Sequence, residues 1–339
     1  MQGQYPQGPW GQQTTGWQQY YQQTQPAYPP PPGRPPETRG LGDARRKVQA
    51  AISVRRGSDR KLSAAWVVVP MVLMFALSTI GFVIIFADLL DTISEGGEFP
   101  VDLYTSDAMR SGYVFIILGS VFHLLAFGAL IYLLLDRRNR HIDREQGLRE
   151  ALTEYVSAAA EAHGSRSIVA SEAYTMESAH RSALVSDKKM SPGAFASAFW
   201  LVTAVTIPVM IAEVYTDLLG DISAFAGIAG ISLVARLAEI IVVLYVLNAL
   251  GRHNYDHAVR WDNFVYGALY GLYKVGTPVM TPYAPRAREE RSFVLYLILS
   301  IFTAGLFMYY WWYTAIKDPN EHYSQQWQIE DAISSAIAR

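Results

Sequence analysis

Residues 110–152 read RSGYVFIILGSVFHLLAFGALIYLLLDRRNRHIDREQGLREAL, and residues 291–333 read RSFVLYLILSIFTAGLFMYYWWYTAIKDPNEHYSQQWQIEDAI. The two stretches align without a gap, and nine of their 43 positions are identical. Both begin with Arg-Ser, cross an apolar run long enough to span a bilayer, and then reach Asn-x-His. An ungapped match with matched ends indicates an internal duplication. The sequence therefore predicts a protein built from repeated units, each made of a membrane helix followed by a polar helix.

The composition fits a membrane protein and excludes several kinds of site. Of the 339 residues, 51% are hydrophobic, and they are gathered into blocks that suit a bilayer. The net charge is only -2, so we expect no nucleic-acid partner. The chain contains no cysteine, which excludes disulfides, thiolate catalysis and cysteine-ligated metals. The first 60 residues lack the apolar stretch of a signal peptide, and none is expected.

The chain before the first apolar block falls into two parts. Residues 1–40 are rich in Gln, Tyr, Pro and Gly, a composition that predicts a disordered tail. Its proline run could bind a protein partner. Residues 41–62 are basic, with Ala44, Val48 and Ile52 at helical spacing. Two interpretations of this segment stay open: an interfacial helix resting on anionic lipid, or a charged linker before the membrane.

Two helical hairpins are predicted to cross the membrane, and their spans occupy residues 64–87, 112–135, 194–212 and 222–250. Acidic residues lie in both predicted turns, and basic residues flank the opposite ends of the spans. Because Lys and Arg favour the cytoplasmic side, the N-terminus and the segment after the first hairpin are predicted to be cytoplasmic. The predicted fold class is all-α, a polytopic transmembrane helical protein of pseudo-repeated hairpins in the cell membrane.

Polar helices and linkers are predicted to connect the spans. The predicted divisions are residues 63–162, the first hairpin with an amphipathic cytoplasmic helix; 163–193, a helical linker; 194–273, the second hairpin with an interfacial helix; 274–292, a Pro-rich linker; and 293–339, a last span (293–316) with an amphipathic helix.

The last apolar block, Phe293 to Ile316, conflicts with the repeat. Five simple crossings place the C-terminus outside, whereas the repeat equates it with the cytoplasmic segment after the first hairpin. Three solutions are open: an inverted repeat, a re-entrant hairpin broken at Thr303-Ala304-Gly305, or an additional span within residues 263–284. The sequence analysis favours a simple span with the C-terminal segment outside.

The same block carries a resemblance. Leu299-Ser300-Ile301-Phe302-Thr303-Ala304-Gly305, followed by Tyr310-Trp311, resembles the prokaryotic membrane family called domain of unknown function 4234. The match covers 30 to 50 residues at the C-terminal end. Ala304 and Leu306 depart from the residues that the family often has beside this Gly. The resemblance implies a prokaryotic membrane protein, with an archaeal source as one option, and implies no activity.

Three copies of an Asn/His motif follow the predicted spans, at Asn139 and His141, Asn254 and His257, and Asn320 and His322. We interpret them as helix starts, in which Asn caps exposed backbone amides. The alternative is a metal or proton site made by the three histidines, which would require them to converge around a pseudo-threefold axis. His253 and His257 are the best pair for such a site, but no carboxylate spacing repeats around them. The sequence analysis therefore predicts no metal and no cofactor.

Several titratable residues lie in or beside the predicted spans, namely His123, Glu213, Asp217, Arg236 and Glu239. A charge in hydrocarbon costs about 2.5–3.5 kcal/mol, so these side chains should face protein or water. The favoured interpretation is an intramembrane ion pair of Arg236 with Glu239 or Glu213. The alternative is an ion path with an acidic outer mouth.

The functional prediction is correspondingly coarse. We expect an integral membrane scaffold or interaction protein, with a small-cation or proton transporter as the alternative. No catalytic triad, HExxH motif or phosphate loop is found, so no enzyme is expected. The expected partners are the lipid bilayer, anionic lipid at the basic segment, a protein bound to the tail and, as an open option, a second copy of the chain.

Overall fold

The computed structural model describes residues 33–94, 106–164, 166–219, 222–279 and 290–339. The described residues form α-helices, one short 3-10 helix and connecting segments, with no strand among them, which confirms the predicted all-α class. Most of the predicted disordered tail, residues 1–32, lies outside the described residues, as does residue Asp221 in the second acidic turn. The helices are α1 (Arg39–Ser53), α2 (Arg55–Ser58), α3 (Ala65–Ser94), α4 (Asp107–Ala162), α5 (Ala170–Ser186), α6 (Pro192–Leu219), α7 (Ile222–Lys274), α8 (Phe293–Phe302) and α9 (Leu306–Ala338).

Four of the described helices, α3, α4, α6 and α7, are long and apolar enough to cross a membrane. They contain the four predicted hairpin spans, and they identify a multi-pass membrane protein. Large apolar side chains on α3 point away from the protein, among them Phe82 and Val83, which are 63% and 61% exposed. Such side chains are stable where lipid replaces water around them.

Helices α4 and α7 continue far beyond the membrane. They contain 56 and 53 residues, so α4 alone is about 84 Å long, against a hydrocarbon core of about 30 Å. Asn139 and Asn254 therefore lie inside unbroken helices, and the predicted helix starts at these residues are wrong. Asn320 likewise lies within α9. The polar ends of the three helices pack together with α1 and α5, and we call this part, residues 33–63, 136–191, 251–279 and 317–339, the head.

The head has its own apolar core. Leu41, Ala44 and Val48 of α1 are fully buried there, so the apolar face of the basic segment is covered by protein rather than by lipid. Phe264 and Leu272, near the end of α7, are buried in the same core. The predicted interfacial helix is therefore a continuation of α7, which extends to Lys274. This part of α7 is only moderately hydrophobic because only one of its faces is buried. Residues 280–284 of the additional span considered within residues 263–284 lie outside the described residues.

The last apolar block is a helical hairpin rather than one span. Helix α8 ends at Phe302, the chain turns through Ala304 (φ 49°) and Gly305 (φ 90°), and α9 begins at Leu306. The Gly305 N–H donates to the Ser300 carbonyl at 2.7 Å, the six-residue bond of a Schellman helix end, for which Ala304 adopts the left-handed backbone. Gly305 also has a positive φ, a conformation that glycine adopts most easily.

The two ends of this hairpin lie side by side. Arg291, just before α8, donates to both carboxylate oxygens of Asp318 in α9, at 2.6 and 2.8 Å. The favoured simple span at residues 293–316 is therefore wrong, and the re-entrant alternative describes the block. The C-terminal helix returns to the head, which removes the conflict with the repeat.

Candidate metal centre

The three histidines of the repeated motif meet inside the head. His141 comes from α4, His257 from α7 and His322 from α9, and they are 2%, 3% and 7% exposed. Their ring centroids are 5.1, 5.5 and 5.4 Å apart, an almost equilateral triangle. The convergence that the sequence analysis placed second is thus observed.

Potential ligand atoms face one another at the centre of this triangle. The Nε2 atoms of His141 and His257 are 3.1 Å apart. Oε2 of Glu145 lies 3.2 Å from Nε2 of His141 and 2.9 Å from Nε2 of His257. A ring nitrogen of His322 lies within 4.8 Å of these atoms. Adjacent ligand atoms of a tetrahedral or octahedral metal are separated by about 2.9–3.5 Å, so three of the four donors already have suitable spacing.

A carboxylate holds the opposite ring nitrogen of two of these histidines. Nδ1 of His141 lies 2.9 Å from Asp59, and Nδ1 of His257 lies 3.1 Å from Asp187. A carboxylate on Nδ1 keeps the proton there and leaves Nε2 as the free lone pair, which is the usual arrangement behind a metal-binding histidine. Asp59 precedes α3 and Asp187 precedes α6, so these two residues, which we call the outer carboxylates, occupy equivalent positions before the two membrane hairpins.

Both outer carboxylates also face arginine. Arg144 lies 2.8 Å from Asp59, and Arg260 forms an ion pair with Asp187. Burial opposes ionisation of Asp59, but His141 and Arg144 outweigh it, so its pKa lies below the ordinary value. The pKa of Asp187 is lowered in the same way, because hydrogen bonding and charge at His257 and Arg260 outweigh burial. Both groups are therefore ionised and accept from the imidazoles.

The asparagines of the motif hold connecting segments. Asn139 donates to the Met190 carbonyl at 2.6 Å and accepts from the Met190 amide at 3.2 Å. Asn320 makes the same pair of bonds to Leu62, at 2.8 and 3.2 Å. Met190 and Leu62 each lie three residues after an outer carboxylate. The motif therefore combines a histidine at the centre with an asparagine that binds the segment leading into a neighbouring span. Asn254 lines a cleft beside the centre.

Sequence reasoning missed Asp59, Glu145 and Asp187. Glu145 follows His141 by four residues on one helix face, a spacing that was available in the sequence. Asp59 and Asp187 meet their histidines across 82 and 70 residues, so no local pattern connects them. His253, which was favoured as the partner of His257, lies 3.5 Å from Asp187 and outside the triangle.

The predicted intramembrane residues are only partly brought together. His123 and Glu239 line a cavity of about 430 Å³ beside the α8–α9 turn, together with Gly305 and Tyr309. No direct ion pair joins Arg236 to Glu239 in the part of the chain that the structure describes, and Nε of Arg236 lies 3.4 Å from Ser232 Oγ. Arg236 nevertheless lies close enough to Glu239 for their charges to interact, so the ion pair of Arg236 with Glu239 or Glu213 stays a prediction. The side chains of Glu213 and Asp217 lie outside the described residues.

The fold and the site define a multi-pass helical membrane protein with a buried histidine and carboxylate centre in its head. No protein-family model, no curated protein and no solved structure matches the chain.

Proposed function

We propose that the head binds one divalent transition-metal ion through His141, Glu145, His257 and His322. The observation that supports this is the 3.1 Å separation of two Nε2 atoms whose Nδ1 atoms both face carboxylates. With both imidazoles neutral, two lone pairs and a carboxylate point at one place. A bound cation would satisfy all of them. Without a metal, burial opposes protonation of His257, but Glu145 and Asp187 outweigh it and raise the pKa of His257, so Nε2 can donate to Glu145 at 2.9 Å and metal binding would displace this proton. The proposal replaces the sequence-based expectation of a metal-free protein.

The donor set favours Zn²⁺, with Fe²⁺ as the principal competitor. Imidazole nitrogens and a carboxylate suit both ions, whereas Ca²⁺ and Mg²⁺ prefer oxygen ligands throughout. Four protein ligands in a buried position are typical of a structural zinc site. Two histidines and one carboxylate with an open neighbouring position are typical of Fe²⁺.

The proposed role of the ion is to join the three repeated units. Each histidine comes from a different unit, so one metal cross-links α4, α7 and α9. This supports a membrane-embedded scaffold whose head is stabilised by metal, and it fits the absence of disulfides in a chain without cysteine. The Lys and Arg distribution supports a cytoplasmic head and a cytoplasmic N-terminus.

The test is metal content of the full chain, purified in detergent and measured by inductively coupled plasma mass spectrometry. We expect about one Zn²⁺ or Fe²⁺ per chain, and loss of the ion with a lower Tm in His257→Ala and Glu145→Gln. His180→Ala is the matched control, because His180 faces Glu150 at the edge of the head. Wild-type protein that holds no transition metal after reconstitution, and whose Tm no metal raises, would refute the proposal.

A second candidate function is movement of protons or small cations. It is favoured by the cavity at membrane depth that His123 and Glu239 line beside the re-entrant turn. Intramembrane titratable groups at a broken helix are typical of transport paths. Proteoliposomes with an imposed pH or cation gradient provide the test, with Glu239→Gln as the variant that should lose flux. Proteoliposomes whose leak equals that of empty vesicles would remove this candidate.

A further inference from the structure

We propose that the cleft beside the histidine triangle binds a phosphate-bearing anion through Arg137 and Arg138. This inference goes beyond the metal site and does not depend on it. The cleft has a volume of about 250 Å³ and lies between α4, α7 and α9. Its lining includes Leu134 and Leu250, at the ends of the apolar runs, together with the three histidines of the triangle. The cleft is therefore at the junction of the membrane part and the head.

Arg138 has a buried charge whose donors are only partly used. The residue is 8% exposed. One Nη donates to the Lys188 carbonyl at 2.8 Å and approaches His253 Nδ1 at 3.3 Å. Nε and the other Nη have no hydrogen-bond acceptor among the described residues. A buried donor without an acceptor costs about 1–3 kcal/mol, and a buried charge costs more. An anion in the cleft would supply both acceptors.

Arg137 adds a second buried charge next to it. The residue is 3% exposed, and it donates to Asn320 Oδ1 at 2.8 Å and to the Ala315 carbonyl at 3.2 Å. Both acceptors are neutral. Neither Arg137 nor Arg138 forms a carboxylate ion pair in the described part of the chain, although buried arginines are normally paired.

The nearby carboxylates are already occupied. Arg149 faces Glu145, Arg144 faces both Asp59 and Glu330, and Arg260 faces Asp187. Arg291 and Asp318, which both line the cleft, form an ion pair with each other. With Arg137 and Arg138 included, six guanidinium groups face these five carboxylates, so one positive charge is left in surplus, and a bound metal ion would increase it. Glu321, which also lines the cleft, pairs with Lys317.

Phosphate is the anion that this arrangement fits best. Guanidinium donors form a planar fork that matches two phosphate oxygens, and such charge-assisted bonds are among the strongest in proteins. The cleft volume suits a single phosphate group with a small substituent. Its position at the membrane junction allows two sources, the head group of an anionic phospholipid or a soluble phosphate ester.

The experiment measures Tm of the delipidated full chain in detergent with EDTA present, so that metal binding has no influence. The two probes are inorganic phosphate, and mixed micelles of phosphatidic acid compared with phosphatidylcholine. We expect one or both phosphate probes to raise Tm of wild type by several degrees. A rise with both indicates a soluble ligand as well as a lipid, and a rise with phosphatidic acid alone indicates a lipid head group.

Arg138→Met separates ligand binding from a purely structural role. Removing an unpaired buried charge should leave Tm without anion equal to or higher than that of wild type, and should abolish the response to the probes. Arg140→Gln is the matched control, because Arg140 is exposed on the same helix and pairs with Asp136. The proposal is overturned if wild type responds to neither probe, if Arg138→Met keeps the full response, or if Arg138→Met alone lowers Tm in the absence of anion.

Discussion

Replacing Asp187 with Asn tests whether the outer carboxylates prepare the histidines for a metal. The substitution keeps the shape of the side chain but removes its charge. Nδ1 of His257 then faces a neutral amide at 3.1 Å, which makes Nε2 a weaker ligand. Loss of such an outer partner typically weakens metal affinity about 10- to 100-fold, equal to about 1.4–2.7 kcal/mol. Arg260 loses its carboxylate as well, which lowers the stability of the metal-free head by about 1.5–3 kcal/mol.

The same substitution at Asp59 should have the same effect, because Asp59 faces His141 and Arg144 as Asp187 faces His257 and Arg260. Competition with a chromogenic chelator measures affinity, and thermal unfolding with and without metal measures stability. Asp143→Asn is the matched control, since this exposed carboxylate near His141 pairs with the exposed Lys189. The reasoning is refuted if either variant at Asp59 or Asp187 binds metal as tightly as wild type, or if Asp143→Asn is weakened equally.

Three further predictions concern the membrane part and the topology. Gly112→Ala should destabilise the chain by about 1–3 kcal/mol, because the added Cβ would lie 2.7 Å from a backbone carbonyl oxygen of α3. Gly147→Ala, on the same helix, is the control: its Cβ meets nothing within 4 Å, and it should stabilise the chain by about 0.5–1 kcal/mol. Unfolding in denaturing detergent compares the two variants. Gly305→Val should cost about 1–2 kcal/mol in the same assay, because a β-branched residue tolerates φ 90° poorly. Single cysteines at Ser182 and Ser335 should react with an impermeant maleimide from the same side of the membrane, and reaction from opposite sides would exclude the re-entrant hairpin.

The membrane spans were predictable because lipid imposes a simple requirement. A helix surrounded by hydrocarbon needs an unbroken apolar run, and the runs within α3, α4, α6 and α7 can be read directly from the sequence. The head was not predictable in the same way. Asn139 looks like a helix cap in isolation, but its actual partner is the Met190 backbone, 51 residues away. Whether this asparagine caps a helix or binds a connecting segment therefore depends on residues that are distant in the sequence.

The α8–α9 turn shows a different limit. Thr303-Ala304-Gly305 was recognised as a potential break, but an uncharged, mainly apolar run of 24 residues equally fits one span. The ion pair between Arg291 and Asp318 decides in favour of a hairpin, and it joins residues 27 positions apart. The resemblance of residues 299–313 to a prokaryotic family stays a prediction.

The bonds from Asn139 and Asn320 to the connecting segments also imply an order of assembly during biosynthesis. Asn320 binds the backbone of Leu62, a residue made 258 positions earlier, and His322 completes the triangle that His141 begins. The first hairpin can be inserted early, but its leading segment is fastened only after the last repeat has been translated and has turned back at Gly305. In a variant truncated before α9, the Leu62 backbone therefore lacks Asn320 and His141 lacks His322, so polar groups beside the first span stay without these partners.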